Sequence, residues 1–300
     1  MQNNKPFIYL LIFAMLLWGG GWSALKILTV DLSVEIILFW RFFFMSVAFI
    51  PILYFFHKPL SLKKSSIKYI LASSVLNILF MLFSFFGIKD GFAGGGSVII
   101  TTLTPVMTFL LVALIFRKRV QNFQYIGVFL GIIGGIIMLQ LNSLEHFLNS
   151  SNIYFLLSAI TWAGVTILAQ HSHKHIDPIH YSFIIAVIAT ITTFIYGQSS
   201  NLLVVFEQDS RFWIALIYLA VFGQAVATTI FFIASGKLGS EITSSFMFLV
   251  PLFALFIAWI VLGEVMQTHI VIGGFISIVA VLFINHSTLI GKGHSKETQE

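Results

Sequence analysis

The chain has 300 residues, of which 58% are hydrophobic and only 9% charged, and its mean hydropathy is +1.00. About a quarter of the residues of a soluble domain are charged, so this composition excludes a water-soluble protein and defines a polytopic membrane protein. No cysteine is present, which excludes disulfides and thiolate metal sites, and the net charge of +5 comes from positives beside apolar runs, a topology signal and not a nucleic-acid surface.

A membrane-crossing helix needs about 20 predominantly apolar residues. Such runs are Phe7 to Leu28, Val34 to Phe56, Ile67 to Ile88, Gly94 to Phe116, Tyr125 to Leu141, Ile153 to Gln170, His180 to Tyr196, Phe212 to Gly236, Ile242 to Leu262 and His269 to Leu289. None alternates with a period of two, so they are helices and not barrel strands. The first lacks a small-residue cleavage site and reads as a retained span, not a signal peptide.

Span one contains "WGGGWSALK", residues 18–26. Trp18, Trp22 and Lys26 follow one another at i, i+4 and i+8 and share a helical face. Gly19, Gly20 and Gly21 thin the remaining surface, which suits close packing on neighbouring helices, while the two tryptophans suit a cavity wall. Lys26 stands near the outer end, placed either to snorkel to headgroups or to act as a vestibule charge. In span two, Arg41 lies too deep for easy snorkelling and calls for an inward partner. We expect pairing with Glu35 or backbone carbonyls, with substrate contact as the alternative.

Asn77 in span three, Gln140 in span five and Gln224 in span eight are amides that either glue helices together or meet a ligand. Pro105 in span four and Pro251 in span nine each free the carbonyl four residues earlier, on Thr101 and Met247, and are candidate hinges. Thr101, Thr102, Thr104, Ser244 and Ser245 are placed to satisfy those carbonyls or touch a ligand. Trp162 and Thr166 form the face of span six that corresponds to Trp18 and Trp22. "HSHKHIDPIH", residues 171–180, invites a metal reading, but Lys174 and the Asp177-Pro178 turn favour a solvated loop, and we expect no metal.

The sequence repeats itself. "LLWGG" around Trp18 resembles "AITWAG" around Trp162 (162 − 18 = 144), and "LTPVMTFLLVALIFRKRVQNFQYIG" lines up with "LVPLFALFIAWIVLGEVMQTHIVIG" (Pro105 with Pro251, Gly127 with Gly273, offset 146). Two five-helix units result: residues 1–142 and 153–290, with a linker at 143–152 and a polar tail at 291–300. Five is odd, so the second unit enters from the opposite face as an inverted repeat.

With the N-terminus inside, inner segments hold Lys5, Lys58, Lys63, Lys64, Lys68, Arg117, Lys118, Arg119, Lys174, Lys237, Lys292 and Lys296, against Lys26, Lys89 and Arg211 outside. This twelve-to-three bias places both termini in the cytoplasm. The repeat mate of Lys118 is Glu264, in an outer loop, so the basic cluster vanishes where that rule requires.

The ten-span plan, Trp18-Gly19 with Lys26, Arg41, and the block Pro251, Gly263, Glu264, Gly273 resemble the EamA-type branch of the drug/metabolite transporter superfamily over nearly the whole chain. Two departures stand out: the first copy has Arg117 and Lys118 where the second has Gly263 and Glu264, and Gln170 answers Lys26. The resemblance implies an inner-membrane carrier, often an exporter of amino acids, other small metabolites or drugs. It also implies a central cavity bounded by spans one, three, four, six, eight and nine, and gives Glu264 importance without a role.

The fold expected is thus an all-α membrane protein of ten helices in two inverted repeats. The candidate cavity residues are Trp18, Trp22, Asn77, Thr101, Thr102, Trp162, Thr166, Gln224 and Ser244, with Lys26, Arg41 and Glu264 as vestibule or gate charges. No phosphate-binding Gly-x-x-x-x-Gly-Lys-[Ser/Thr] loop, His-Glu-x-x-His, Gly-x-Ser-x-Gly or buried carboxylate pair occurs, so ATP-driven transport and intramembrane hydrolysis lack their parts. The expectation is a secondary carrier without cofactor, working by alternating access on a small molecule, more in keeping with export than uptake. Acidic residues sit only near span ends, which inclines toward uniport and leaves proton or sodium coupling open. The rivals are a non-transporting sensor, scaffold or lipid-processing enzyme, and a passive pore.

Overall fold

The computed structural model describes residues 5–29, 32–56, 62–90, 93–116, 122–140, 150–263 and 268–286. Among them run ten helices: α1 (Lys5–Leu28), α2 (Val34–Phe56), α3 (Lys64–Asp90), α4 (Ala93–Phe116), α5 (Asn122–Leu139), α6 (Ser150–Ser172), α7 (Pro178–Tyr196), α8 (Ser210–Leu238), α9 (Ser240–Val261) and α10 (Thr268–Ile284). Nine are long and apolar enough to cross a membrane, and α10 is a shorter apolar helix. Large apolar side chains such as Tyr54, Leu114 and Phe275 are about 70% exposed or more, at 72%, 76% and 68%. A soluble fold would hide them; facing lipid they cost nothing.

Several helices begin or end a turn beyond the hydrophobic runs, because hydropathy registers only the stretch at hydrocarbon depth while caps extend the helix into the interface. Asp177 accepts the Ile179 amide at 3.0 Å with Pro178 in the first turn of α7, and Asp209 accepts the Phe212 amide at 2.9 Å ahead of α8. Both are side-chain N-caps, and proline costs nothing where no helical partner awaits its nitrogen. Between α7 and α8, two short 3₁₀ turns (Gly197–Ser199, Leu202–Glu207) are pinned by the Trp40 indole donating to the Leu202 carbonyl at 2.8 Å.

Successive helices alternate in direction, so the bundle has a terminal end, where α1 begins and α10 finishes, and a distal end. Ser65 and His175 hydrogen bond at the terminal end (3.0 Å), and Gln140 and His269 at the distal end (2.9 Å). Contacts between repeat mates lie along the line joining the halves. Trp18 meets Trp162 edge-on at 5.6 Å, and Ser46 of α2 hydrogen bonds Thr190 of α7 at 3.0 Å with the same offset (190 − 46 = 144). On α5 and α10, Gly134 and Gly273 press backbone on backbone: a Cβ at Gly134 would sit 2.8 Å from the Gly273 carbonyl oxygen, and one at Gly273 would sit 2.5 Å from that of Gly134. Small residues permit this approach, which in lipid supplies the packing energy that water supplies elsewhere.

The halves are not equivalent. Pro105 stands in an uninterrupted α-helix, whereas a 3₁₀ turn, Phe246–Leu249, precedes Pro251. There the Val250 amide takes the Met247 carbonyl that the proline releases. The mate of α3, helix α8, widens into π geometry over Tyr218–Val226.

Two results are expected. Valine at Gly134 would press on the Gly273 carbonyl and the Ser277 hydroxyl, each 2.8 Å from a Cβ there, and should destabilise the bundle by about 1–3 kcal/mol, read as a lower Tm of the purified protein. With no native cysteine to interfere, Asn201→Cys at the distal end should react with an impermeant maleimide in intact cells, and Lys174→Cys at the terminal end only after permeabilisation; the opposite pattern would reverse the orientation drawn from the charge bias.

Candidate functional site

The glycines of α1 bring its C-terminal half hard against the second repeat. A Cβ on Gly19 would lie 2.6 Å from that of Phe253, and Gly20 lies under the Tyr218 ring, whose hydroxyl donates to the Leu17 carbonyl at 3.0 Å. With α1 seated this closely, the Trp18 indole N–H reaches the Gly223 carbonyl at 2.9 Å. That carbonyl is available because of the π segment: the Ala227 amide bonds to the carbonyls of Phe222 and Gln224 and passes over Gly223. The wide turn of α8 and the tryptophan of α1 thus complete one another across the two halves.

Above this contact lies a cavity of about 110 Å³. Its walls come from Trp18, Trp22 and Leu25 of α1, Arg41 of α2, Phe80, Met81, Ser84 and Phe85 of α3, and Ile100 and Thr101 of α4. Trp162 of α6, Leu219, Gly223, Gln224 and Thr228 of α8, and Met247 and Val250 of α9 complete it. On α1 to α4 these positions fall in the distal half, while Trp162, Met247 and Val250 form a floor at mid-depth. Beneath the floor the terminal half is solid core, including Leu11, Met15, Val165, Tyr181, Phe231 and Phe232. It is stitched by a Ser73–Tyr181 hydroxyl pair, Ser235 to the Thr166 carbonyl (2.9 Å) and the Ser240 amide to Gln170 (2.9 Å). The cavity is closed toward the terminal end.

Of the residues singled out from sequence, Trp18, Trp22, Arg41, Thr101, Trp162 and Gln224 line this cavity. The others are elsewhere. Asn77 is buried on α3 outside the lining, and Thr102 packs on Gly135 of α5. Thr166 and Ser244 donate to carbonyls of their own helices, on Trp162 (2.8 Å) and Glu241 (3.1 Å). Thr101 does the same toward Ser97 at 2.7 Å, one turn before the position the proline argument assigned it. Lys26 is exposed at the distal end of α1, and Pro105 and Pro251 lie outside the lining. Glu264 falls outside the described residues.

Arg41 does not pair as expected. Glu35 is six positions away (41 − 35), about 120° around the helix, and packs beside Gly197. The histidines of residues 171–180 also go separate ways: His171 to the Ile167 carbonyl (2.9 Å), His173 against Gly236, His175 to Ser65 and onto the Tyr69 ring, His180 toward Asp177.

Sequence reasoning missed Phe80, Met81, Ser84, Phe85 and Thr228. Helical spacing could have found them, since Met81, Ser84 and Phe85 continue the face of Asn77 at i+4, i+7 and i+8, and Thr228 follows Gln224 at i+4, within its reach (3.4 Å).

A cavity walled by both halves of an inverted ten-helix bundle is the architecture of a multi-pass membrane transporter. The chain belongs to the EamA-like transporter family, whose model matches it twice, over residues 5–140 and 149–286. Among its relatives are the uncharacterized transporter YoaV of Bacillus subtilis (22% identical, covering 93% of this chain and 96% of the relative) and a probable amino-acid metabolite efflux pump of Salmonella typhimurium (25%, 95% and 95%). An S-adenosylmethionine uptake transporter of Rickettsia felis is 25% identical, covering 87% of this chain and 86% of the relative. A solved crystal structure matches 97% of this chain and 99% of its own at 12% identity, with a TM-score of 0.73, a likeness of fold alone.

The Trp18 contact is directly testable. Trp18→Phe keeps a ring but removes the donor to Gly223, and should cost about 0.6 kcal/mol, the average for interhelical hydrogen bonds in membranes. A double-mutant cycle with Tyr218→Phe, followed by thermal unfolding, would separate this bond from the neighbouring one.

Proposed function

We propose that the protein is a secondary carrier that exports a small metabolite across the plasma membrane by alternating access, the two five-helix units rocking about the central cavity. The observation that carries this reading is the cavity itself: both repeats build it, and packed core lies beneath it toward the terminal end. A carrier held in one of its two states has this form. With the termini cytoplasmic, as the basic residues indicate, the closed end faces the cytoplasm and the substrate site belongs to the outward-facing state. The irregular turns of α8 and α9 support the reading, since unwound helix segments beside a midplane cavity mark transporter sites. Export is favoured by the likeness to the efflux pump, which spans more of the chain than the likeness to the uptake protein.

No carboxylate lines the cavity among the described residues, which favours uniport, because ion-coupled carriers commonly keep an acidic group at membrane depth. In proteoliposomes loaded with a mixture of amino-acid-sized metabolites, efflux of at least one solute should saturate with concentration and proceed without an imposed pH or sodium gradient. Trp18→Ala and Trp162→Ala should each reduce it by about tenfold or more, as expected when one aromatic wall of a snug site is lost. Flux linear in concentration would indicate a pore, and an absolute requirement for a gradient would indicate coupling.

A further inference from the structure

Arg41 is the only charged side chain lining the cavity among the described residues. It is 9% exposed, its Nε has no hydrogen-bond partner, and its one polar contact is from Nη1 to the Met81 sulfur at 3.8 Å. A thioether is a weak acceptor, whereas a guanidinium carries five N–H donors that a protein interior normally matches with carboxylate or carbonyl oxygen. Glu35, its nearest acidic neighbour in sequence among the described residues, turns to another face of α2.

A second group makes the same demand from the other repeat. Trp162, 4% exposed at the floor of the cavity, has an indole N–H with no acceptor. Its repeat mate, Trp18, does have one, in Gly223. Both unmet needs at this site are thus donors awaiting an acceptor, one of them cationic. The remaining wall is apolar and largely aromatic, with Trp18, Trp22, Phe80 and Phe85 able to sandwich a ring or an alkyl chain. A volume of about 110 Å³ is somewhat below the roughly 150 Å³ of a cavity that holds benzene, so a ring-bearing ligand requires the aromatic walls to part slightly.

We propose that the cavity binds an organic anion of amino-acid size, a carboxylate on an apolar or aromatic body, with Arg41 as the anchoring cation and the Trp162 N–H as a further donor. This rests on the carrier reading for its role in transport but not for binding. The planar guanidinium fork matches a carboxylate through two parallel bonds, a match that lysine lacks. Without ligand the charge is buried at a cost, so the site trades stability of the empty protein for recognition. A structural arginine would do the opposite.

The test uses purified full-length protein and three isosteric probes: 3-phenylpropionate, 3-phenylpropanamide and 3-phenylpropylammonium. Calorimetric titration should rank the carboxylate at least about tenfold tighter than the amide, the scale of a hydrogen bond to a charged group, and the ammonium weakest. Arg41→Gln should erase the preference for carboxylate over amide while leaving the Tm of the ligand-free protein unchanged or higher. Arg41→Lys should fold and retain a reduced preference, and it decides the matter if the glutamine variant does not fold. The proposal is overturned if the wild type binds none of the probes or does not prefer the carboxylate, if Arg41→Gln keeps that preference, or if Arg41→Lys binds the carboxylate as tightly as the wild type. Carboxylate binding without any flux in proteoliposomes would sink the carrier reading and leave the anion site standing; saturable flux of cations alone would do the reverse.

Discussion

One hydrogen bond organises the centre of this molecule: the Trp18 indole donating to the Gly223 carbonyl. It requires α1 to approach α8 closely, which Gly20 and Gly21 permit while Gly19 seats the helix on α9, and it requires a backbone carbonyl released from the helical ladder, which the π turn provides. Take away either condition and the tryptophan has no acceptor at mid-membrane, where no water can substitute. The cavity wall follows from this fixed point. Trp22 and Leu25 are carried into place one and two turns along α1, Gln224 is presented by the wide turn of α8, and Thr228 by the α-helical turn that follows it.

Symmetry explains the frame, and its breaking explains the site. Mates meet at Trp18 and Trp162 and at Ser46 and Thr190, and the mate helices α5 and α10 meet at Gly134 and Gly273, as an inverted duplication requires of elements near its axis. Among the described residues, however, the π and 3₁₀ segments within spanning helices are confined to the second unit. Lys26 and Gln170 diverge as well: the lysine is exposed at the distal end of α1, while the glutamine accepts the Ser240 amide and closes the terminal end. A duplicated scaffold thus gains a direction through a few positions at which its copies disagree.

Much of this was legible from residue order alone. Hydropathy located all ten helices because lipid leaves the backbone no alternative, and the repeat showed through Trp18, Pro105 and their mates. Six candidate residues reached the cavity because they were large or polar on faces that small residues left open. The misses have physical causes. Thr102, Thr166 and Ser244 looked like ligand groups, but a hydroxyl in a membrane helix can turn back on its own helix's carbonyls, as Thr166 and Ser244 do. Met81 and Phe85 carry no mark in sequence beyond their spacing. The π turn is invisible there too, since its extra residue per turn reflects packing against α1 and not a local signal such as proline, and the separation of Arg41 from Glu35 depends on helix phase and on what packs beside each.

The α5–α10 seam has a mechanical consequence. Neither helix lines the cavity, and at Gly134 and Gly273 their backbones touch directly, with only the Ser277 hydroxyl and the Met138 side chain beside the contact. Sliding there would drive carbonyl oxygens into α-carbons, whereas a small rotation about the Gly134–Gly273 contact leaves the spacing nearly unchanged. In the rocking motion proposed for the two units, this pair would be the fulcrum and the aromatic floor the end of the lever that travels.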